Sequence, residues 1–252
     1  MKKNLVYAVA MAGLGTRFTR AGYALPKYMI RAAGATLFEH SLRSLPLEPA
    51  RKLVFIALKE HQETYGLEGF IASALAGICG GAAFRPDFEL VLLGAPTRGQ
   101  AETVMKAKDA VPPGAELAVY NIDTRFASDT LLEKLSGPGK KDGVLGSFKL
   151  TAKDAKWSFA RLGPDGAVSE VAEKVQISDN ALTGLYHFTD AGDFFAAAGE
   201  ALAKPAPGEL YVAPLYNALI AAGRKFVLDE ARSITPLGTP EDVERMTANG
   251  HG

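Results

Sequence analysis

The chain has few of the residues that usually carry redox or metal chemistry: one cysteine, Cys79, and four histidines among 252 residues. A lone cysteine excludes an intrachain disulfide. Its neighbours Ala, Gly and Ile predict a buried, inert thiol and favour a cytoplasmic protein. Net charge is lacking as well, since 28 Lys and Arg balance 28 Asp and Glu. No global field therefore draws nucleic acid or an anionic membrane, and any phosphate binding must rest on local basic spots. No stretch approaches the ~20 apolar residues of a membrane span. Lys2 and Lys3 before an apolar run imitate a secretory signal, but the run is short and cleavage there would discard the strand described next. The expectation is a soluble protein with no nucleic-acid or membrane partner.

What the chain does contain is concentrated in LVYAVAMAGLGTRFTRAGYALPK, from Leu5 to Lys27. Leu5, Val6, Ala8, Val9 and Ala10 form a short continuous apolar run, the pattern of a strand buried on both faces of a parallel sheet. The turn Ala12, Gly13, Leu14, Gly15, Thr16 follows at once. Its two glycines let backbone amides approach an anion closely. Arg17 adds a permanently charged planar fork, and Lys27 a point charge after the rigid Pro26. Two familiar phosphate motifs are excluded. The third glycine of a dinucleotide fingerprint is replaced by Phe18, and the Gly-Lys-Ser/Thr of a P-loop is absent.

The pattern G-x-G-T-R followed by P-K resembles the signature of the sugar-phosphate nucleotidyltransferases, the nucleoside-diphosphate-sugar pyrophosphorylases of the GT-A-like NTP transferase superfamily. The resemblance implies that the glycine turn wraps the phosphates of a nucleoside triphosphate. Arg17 would contact the leaving pyrophosphate, and Lys27 phosphate oxygens at the reacting centre. It spans nearly the whole chain, strongest at residues 9 to 42 and weaker after 170. It implies a Mg²⁺-dependent enzyme that joins CTP, UTP or dTTP to a phosphorylated small molecule.

Further positions follow in order. Thr36 and Glu39 predict a capping box opening a helix with Leu37, Leu42 and Leu45 as its apolar stripe. His40 on that helix reads as structural. Strands are expected at Lys52 to Leu58, Glu89 to Leu93 and Glu116 to Ile122. In GAPTRGQAETV the resemblance implies a loop and helix start that read the base, matched by Gly99, Gln100 and Glu102. Gln100 both donates and accepts, and Glu102 could accept from a cytosine amino group. Alternatively, Glu102 merely favours the helix dipole and Gln100 is solvated. Asn121-Ile122-Asp123 ends a buried strand. A carboxylate at the carboxyl end of a central strand points into the ligand crevice, so Asp123 is the candidate Mg²⁺ ligand and Asn121 a nucleotide contact. An ordinary turn-forming aspartate is the alternative.

From Gly143 to Phe188 the chain reads as sheet, including the turn Gly163-Pro164-Asp165-Gly166. The resemblance implies acceptor binding there: Glu173 to hydroxyls, Lys174 to the acceptor phosphate, and Thr183 and Gly184 allowing close backbone approach. A solvated Glu173–Lys174 pair on an edge strand is the alternative. His187 reads as structural. A helix from Asp190 to Leu202 should end at Lys204 to Gly208, with Pro205 and Pro207. Gly223 suits the C′ position of the next helix, a short strand covers Phe226 to Leu228, and Thr239-Pro240-Glu241-Asp242 starts a last one. The family's second metal-binding aspartate has Pro236 in its place, leaving Asp179 and Asp229 as substitutes only by motif order.

Together these features predict one α/β domain over 1–252: a doubly wound, Rossmann-like, mostly parallel sheet with antiparallel acceptor-side strands. The nucleotide half covers about 1–125 and the acceptor half about 126–240. A sugar 1-phosphate is the expected acceptor. Tyr28, where many sugar-specific members have proline, and Pro236 leave open a cytidylyltransferase branch using a non-sugar phosphate or phosphonate for a surface polymer. A non-catalytic nucleotide-binding subunit is a reading of another class, and a homo-oligomer remains open.

Overall fold

A computed structural model describes residues 4–80, 86–137, 141–204 and 208–249. The first half alternates strands and helices: β1 (Leu5–Ala10), α1 (Thr16–Arg20), β2 (Arg31–Ala32), β3 (Ala35–Thr36), α2 (Leu37–Leu42), β4 (Ala50–Leu58), α3 (Lys59–Tyr65), α4 (Leu67–Cys79), β5 (Asp87–Leu93), α5 (Gln100–Met105) and β6 (Glu116–Asn121). The second half is richer in strand: β7 (Thr124–Ala127), α6 (Leu131–Ser136), β8 (Gly143–Lys149), β9 (Ser158–Leu162), β10 (Val168–Glu173), β11 (Asn180–Phe188), α7 (Ala191–Ala203), α8 (Leu215–Ala221), β12 (Phe226–Glu230), β13 (Ser233–Pro236) and α9 (Pro240–Asn249).

Nine strands join in one mixed sheet, with the path β10-β9-β11-β6-β1-β4-β5 and with β8 linking β11 to β12. β1 is central and parallel to both β4 and β6. β11 runs antiparallel to β6, β8 and β9 and joins the two halves. The alternation of β1 explains its unbroken apolar sequence. Val6 and Ala8 enter one core layer while Leu5, Tyr7 and Val9 enter the other, so both faces are covered. On the first face lie α5, α7 and α8, through Val104, Phe194 and Tyr216. On the second lie α2, α4 and α6, through Phe38, Ile71 and Leu135. The α/β mixed sheet expected from the sequence is the one observed.

Local signals hold at the helix ends. Thr36 Oγ1 accepts from the Glu39 amide at 3.2 Å while Glu39 Oε2 accepts from the Thr36 amide at 2.8 Å, the expected capping box. The helix is shorter than its apolar stripe, ending at Leu42, with Leu45 packing from the turn beyond. After α8 the Gly223 amide bonds Ile220 O and the Arg224 amide bonds Leu219 O, closing the helix as a Schellman motif. Residues 205–207, expected to end α7, lie outside the described residues. His40 and His187 are both buried, their Nε2 atoms meeting Ala32 O at 2.8 Å and Glu116 Oε2 at 3.1 Å. One expectation is corrected: Cys79 is only partly buried, because α4 ends there at the left-handed Gly80 near the surface.

A third, smaller apolar cluster joins the two sequence ends of the described fold. Phe18 of α1 and Ile30, Ala32 and Leu37 pack with Leu237, Val243 and Met246. The last helix thus braces the helix that follows the glycine turn.

Candidate active site

The carboxyl ends of β1 and β6 open on a cavity of about 630 Å³. On one side lies the glycine turn, where Gly15 adopts the left-handed region at φ +59° and begins α1. Ala12, Gly13, Leu14, Gly15, Thr16 and Arg17 all line the cavity. Lys27 reaches it from the first residue of a single 3₁₀ turn, Lys27–Met29, placed by Pro26 at φ −50°. Its Nζ stands 3.9 Å from Asp123 Oδ2. Burial, partly opposed by Asp123 and reinforced by the Arg17 charge, holds the Lys27 ammonium below its ordinary pKa.

Asn121 and Asp123 follow β6 into the same cavity, as do Gly99 and Gln100 at the start of α5. Gln100 Nε2 donates a short hydrogen bond to Asn121 Oδ1, so the two amides orient one another. Gly184, at φ +91°, lies where β11 slips register against β8 between Leu182 and Tyr186. A Cβ at Gly184 would approach Asn121 Cβ to 2.9 Å and Cγ to 3.0 Å, so β11 passes the amide pair only because this residue has no side chain.

Thr183, beside Gly184, and Glu173 and Lys174 also line the cavity. The Ser158 hydroxyl donates a short hydrogen bond to Glu173 Oε2. Burial raises the Glu173 pKa, with Glu209 and Asp123 adding to the rise and Ser158 and Lys174 opposing it. Lys174 sits in the left-handed region at φ +56°, a strain of about 1–2 kcal/mol for a residue with a side chain. Its ammonium donates to the Tyr211 hydroxyl and lies 4.4 Å from that ring's centroid. The Tyr211 bond, ahead of its acidic neighbours, raises the Lys174 pKa.

Glu102, a candidate to read the base, stands outside this cavity. Its Oε2 accepts from the Arg98 amide at 2.8 Å and from Arg98 Nε at 3.1 Å, and these bonds lower its pKa. Tyr28 is also elsewhere, buried with its hydroxyl 2.8 Å from His61 Nδ1. Sequence reasoning missed Thr97, Trp157, Ser158, Tyr186, Glu209, Tyr211 and Asp242, all of which line the cavity. Only Glu-Leu-Tyr at 209–211 offered a signal, an acid and an aromatic alternating about one apolar residue.

Among the described residues no group of three or more His, Cys, Asp or Glu could hold a metal ion. Asp229 is fully buried and paired with Lys134 at 3.1 Å, and neither it nor Asp179 lines the cavity. Asp242 does, but its Oδ2 accepts from the Thr239 amide and its Oδ1 from Arg245, as a cap of α9. Asp123, with its side chain 39% exposed, is a carboxylate open to a cation. One carboxylate with substrate phosphates and water is an ordinary Mg²⁺ environment, so the residues fit that ion.

No protein-family model and no curated protein matches the chain. Solved structures do. An inositol-1-phosphate CTP transferase from T. maritima is 14% identical with a TM-score of 0.73, covering 97% of this chain and 95% of that one. A UDP-glucose pyrophosphorylase complexed with UDP-glucose is 14% identical with a TM-score of 0.77, covering 98% of each chain. These two share the fold. A nucleoside-diphosphate-sugar pyrophosphorylase from Vibrio cholerae RC9 is 33% identical with a TM-score of 0.79, covering 97% of this chain and 99% of that one. Identity at that level from end to end makes this chain a member of the nucleoside-diphosphate-sugar pyrophosphorylase family, enzymes of nucleotidyl transfer.

Proposed function

We propose that the protein couples a pyrimidine nucleoside triphosphate to a sugar 1-phosphate, releasing pyrophosphate and forming a nucleoside-diphosphate sugar. The observation that carries this reading is that Arg17, Lys27 and Asp123 face one cavity beside the glycine turn. An acceptor phosphate oxygen attacks the α-phosphorus, and the bond to the pyrophosphate oxygen breaks. No protein nucleophile takes part. The chain aligns two anions and offsets their charge, which is where catalysis of phosphoryl-type transfer arises.

In this reading the nucleotide half, about 1–125, supplies the turn from Ala12 to Thr16 for the phosphates. Gln100 and Asn121 meet the base, the uncapped donors and acceptors of their amide pair matching a pyrimidine edge. Arg17 takes the charge growing on the leaving pyrophosphate and Lys27 steadies the phosphate oxygens. Asp123 would hold Mg²⁺, which, when bound, neutralises phosphate charge. The acceptor half, about 126–240, offers Glu173 to hydroxyls, Lys174 to the phosphate and the Thr183–Gly184 backbone to the ring. Trp157 adds a flat apolar face that suits a sugar. Tyr28 lies outside the cavity, so it lends nothing to a non-sugar acceptor.

Pyrophosphate release tests the reading, with each triphosphate set against a panel of sugar 1-phosphates and small phospho-compounds. Turnover with a sugar 1-phosphate is expected. Turnover confined to a non-sugar phosphate or phosphonate would overturn the acceptor assignment.

A further inference from the structure

The loop before α5 and residues 208–212 meet closely in the cavity wall. Gly99 has φ +151°, and a Cβ there would come within 2.6 Å of Leu210 N and O and 2.8 Å of Glu209 Cγ. No side chain fits that space. Two hydrogen bonds hold the contact: the Leu210 amide donates to Arg98 O at 2.9 Å, and the Ala101 amide to Leu210 O at 3.0 Å. With Leu210 packed against the core, its neighbours Glu209 and Tyr211 turn to the cavity.

Tyr211 then accepts from the Lys174 ammonium, while burial and the Glu209 carboxylate raise its own pKa. Lys174 is exposed, and a free four-carbon stem at such a position would sample many rotamers. Its left-handed backbone and its amide, bonded to Trp157 O at 3.0 Å, aim the stem at Tyr211. Strain of this kind persists only where the surroundings over-determine it.

We propose that residues 208–212 form a bridge, seated on Gly99, in which Tyr211 and Glu209 are positioning residues that fix Lys174 and couple it to the loop beside Gln100. The inference rests on the acceptor role of Lys174 given above. A nucleotide that steadies residues 97–100 also steadies the acceptor cation, so each substrate tightens the other by the same factor.

Hydrogen exchange of the substrate-free protein tests the bridge without catalysis. In Tyr211→Phe the peptide carrying the Lys174 amide should exchange about fivefold faster than in the wild type. An unchanged rate would overturn the proposal. Gly99→Ala should accelerate exchange both at 97–101 and at 172–176, and a change confined to the first would break the coupling. Should Gly99→Ala fail to fold, steady-state kinetics serve instead. Tyr211→Phe should raise the acceptor KM about fivefold with the nucleotide KM and kcat nearly unchanged, and should add nothing in a Lys174→Met background. Equal effects in both backgrounds would refute positioning through Lys174. Faster exchange without any acceptor KM effect would keep the bridge and remove Lys174 from the acceptor site.

Discussion

Replacing Gly184 by alanine tests the central crowding of the site. Position 184 has φ +91°, which costs a residue with a Cβ about 1–2 kcal/mol. The new methyl would sit 2.9 Å from Asn121 Cβ and 3.0 Å from Cγ, atoms near the backbone of β6 that cannot swing aside. Forcing a methyl into so tight a contact adds about 1–3 kcal/mol. The total, about 2–5 kcal/mol, corresponds to a fall in Tm of roughly 4–10 °C for a chain of this size at about 2 °C per kcal/mol. Because the relief must move Asn121, the Gln100–Asn121 amide pair should separate, and the KM for the nucleotide should rise roughly tenfold, the equivalent of about 1.4 kcal/mol. Calorimetry and pyrophosphate release measure the two effects. Gly199→Ala is the control: it lies within α7 with no atom within 4 Å of the added Cβ, and should stabilise by about 0.5–1 kcal/mol. A Gly184→Ala protein with a Tm within 2 °C of the wild type (an allowance of about 1 kcal/mol) and an unaltered nucleotide KM would refute the crowding argument.

Asp123→Ala should lower turnover by about 10²–10³ while calorimetric nucleotide affinity changes little; equal loss of both would make Asp123 a binding residue only. Lys27 has a folded pKa below 10.5, so kcat/KM should fall on an alkaline limb below that pH, and Asp123→Asn should carry the limb lower still. For stability the sign is opposite: the folded state binds fewer protons at Lys27 than the unfolded one, so stability rises with pH between the folded pKa and 10.5. Glu173 has a folded pKa above 4.5, so its contribution to stability is present below 4.5 and lost as pH rises through the folded value. Glu173→Gln should accordingly raise Tm at pH 7 more than at pH 4, while weakening acceptor binding read from the emission of Trp157, the single tryptophan; a Tm gain that does not depend on pH would sink this account.

The parts legible in the sequence were those whose chemistry is local. The run before Gly13 announced a doubly covered strand because every residue of β1 meets apolar partners, whichever face it takes. Thr36 and Glu39 cap their helix within four residues, and Gly223 closes α8 through its own neighbours. Glu102 left two readings open because a carboxylate in the first turn of a helix looks alike from sequence whether it faces a ligand or its own backbone; here it faces Arg98. The wall proposed for the acceptor was the least legible. Glu209, Tyr211 and Trp157 come together only through the register of β9 and β10 and the seat at Gly99, contacts between residues far apart in the chain. Nothing in the sequence around Gly99 pointed to its close approach to Leu210.

The packing of α9 on α1 has a consequence for biosynthesis. The glycine turn leaves the ribosome roughly 220 residues ahead of the helix that buttresses Phe18, so while those residues are made the nascent sheet carries the bend without its support. Competence for triphosphate would then arrive only once α9 has emerged, and not with the folded amino-terminal portion.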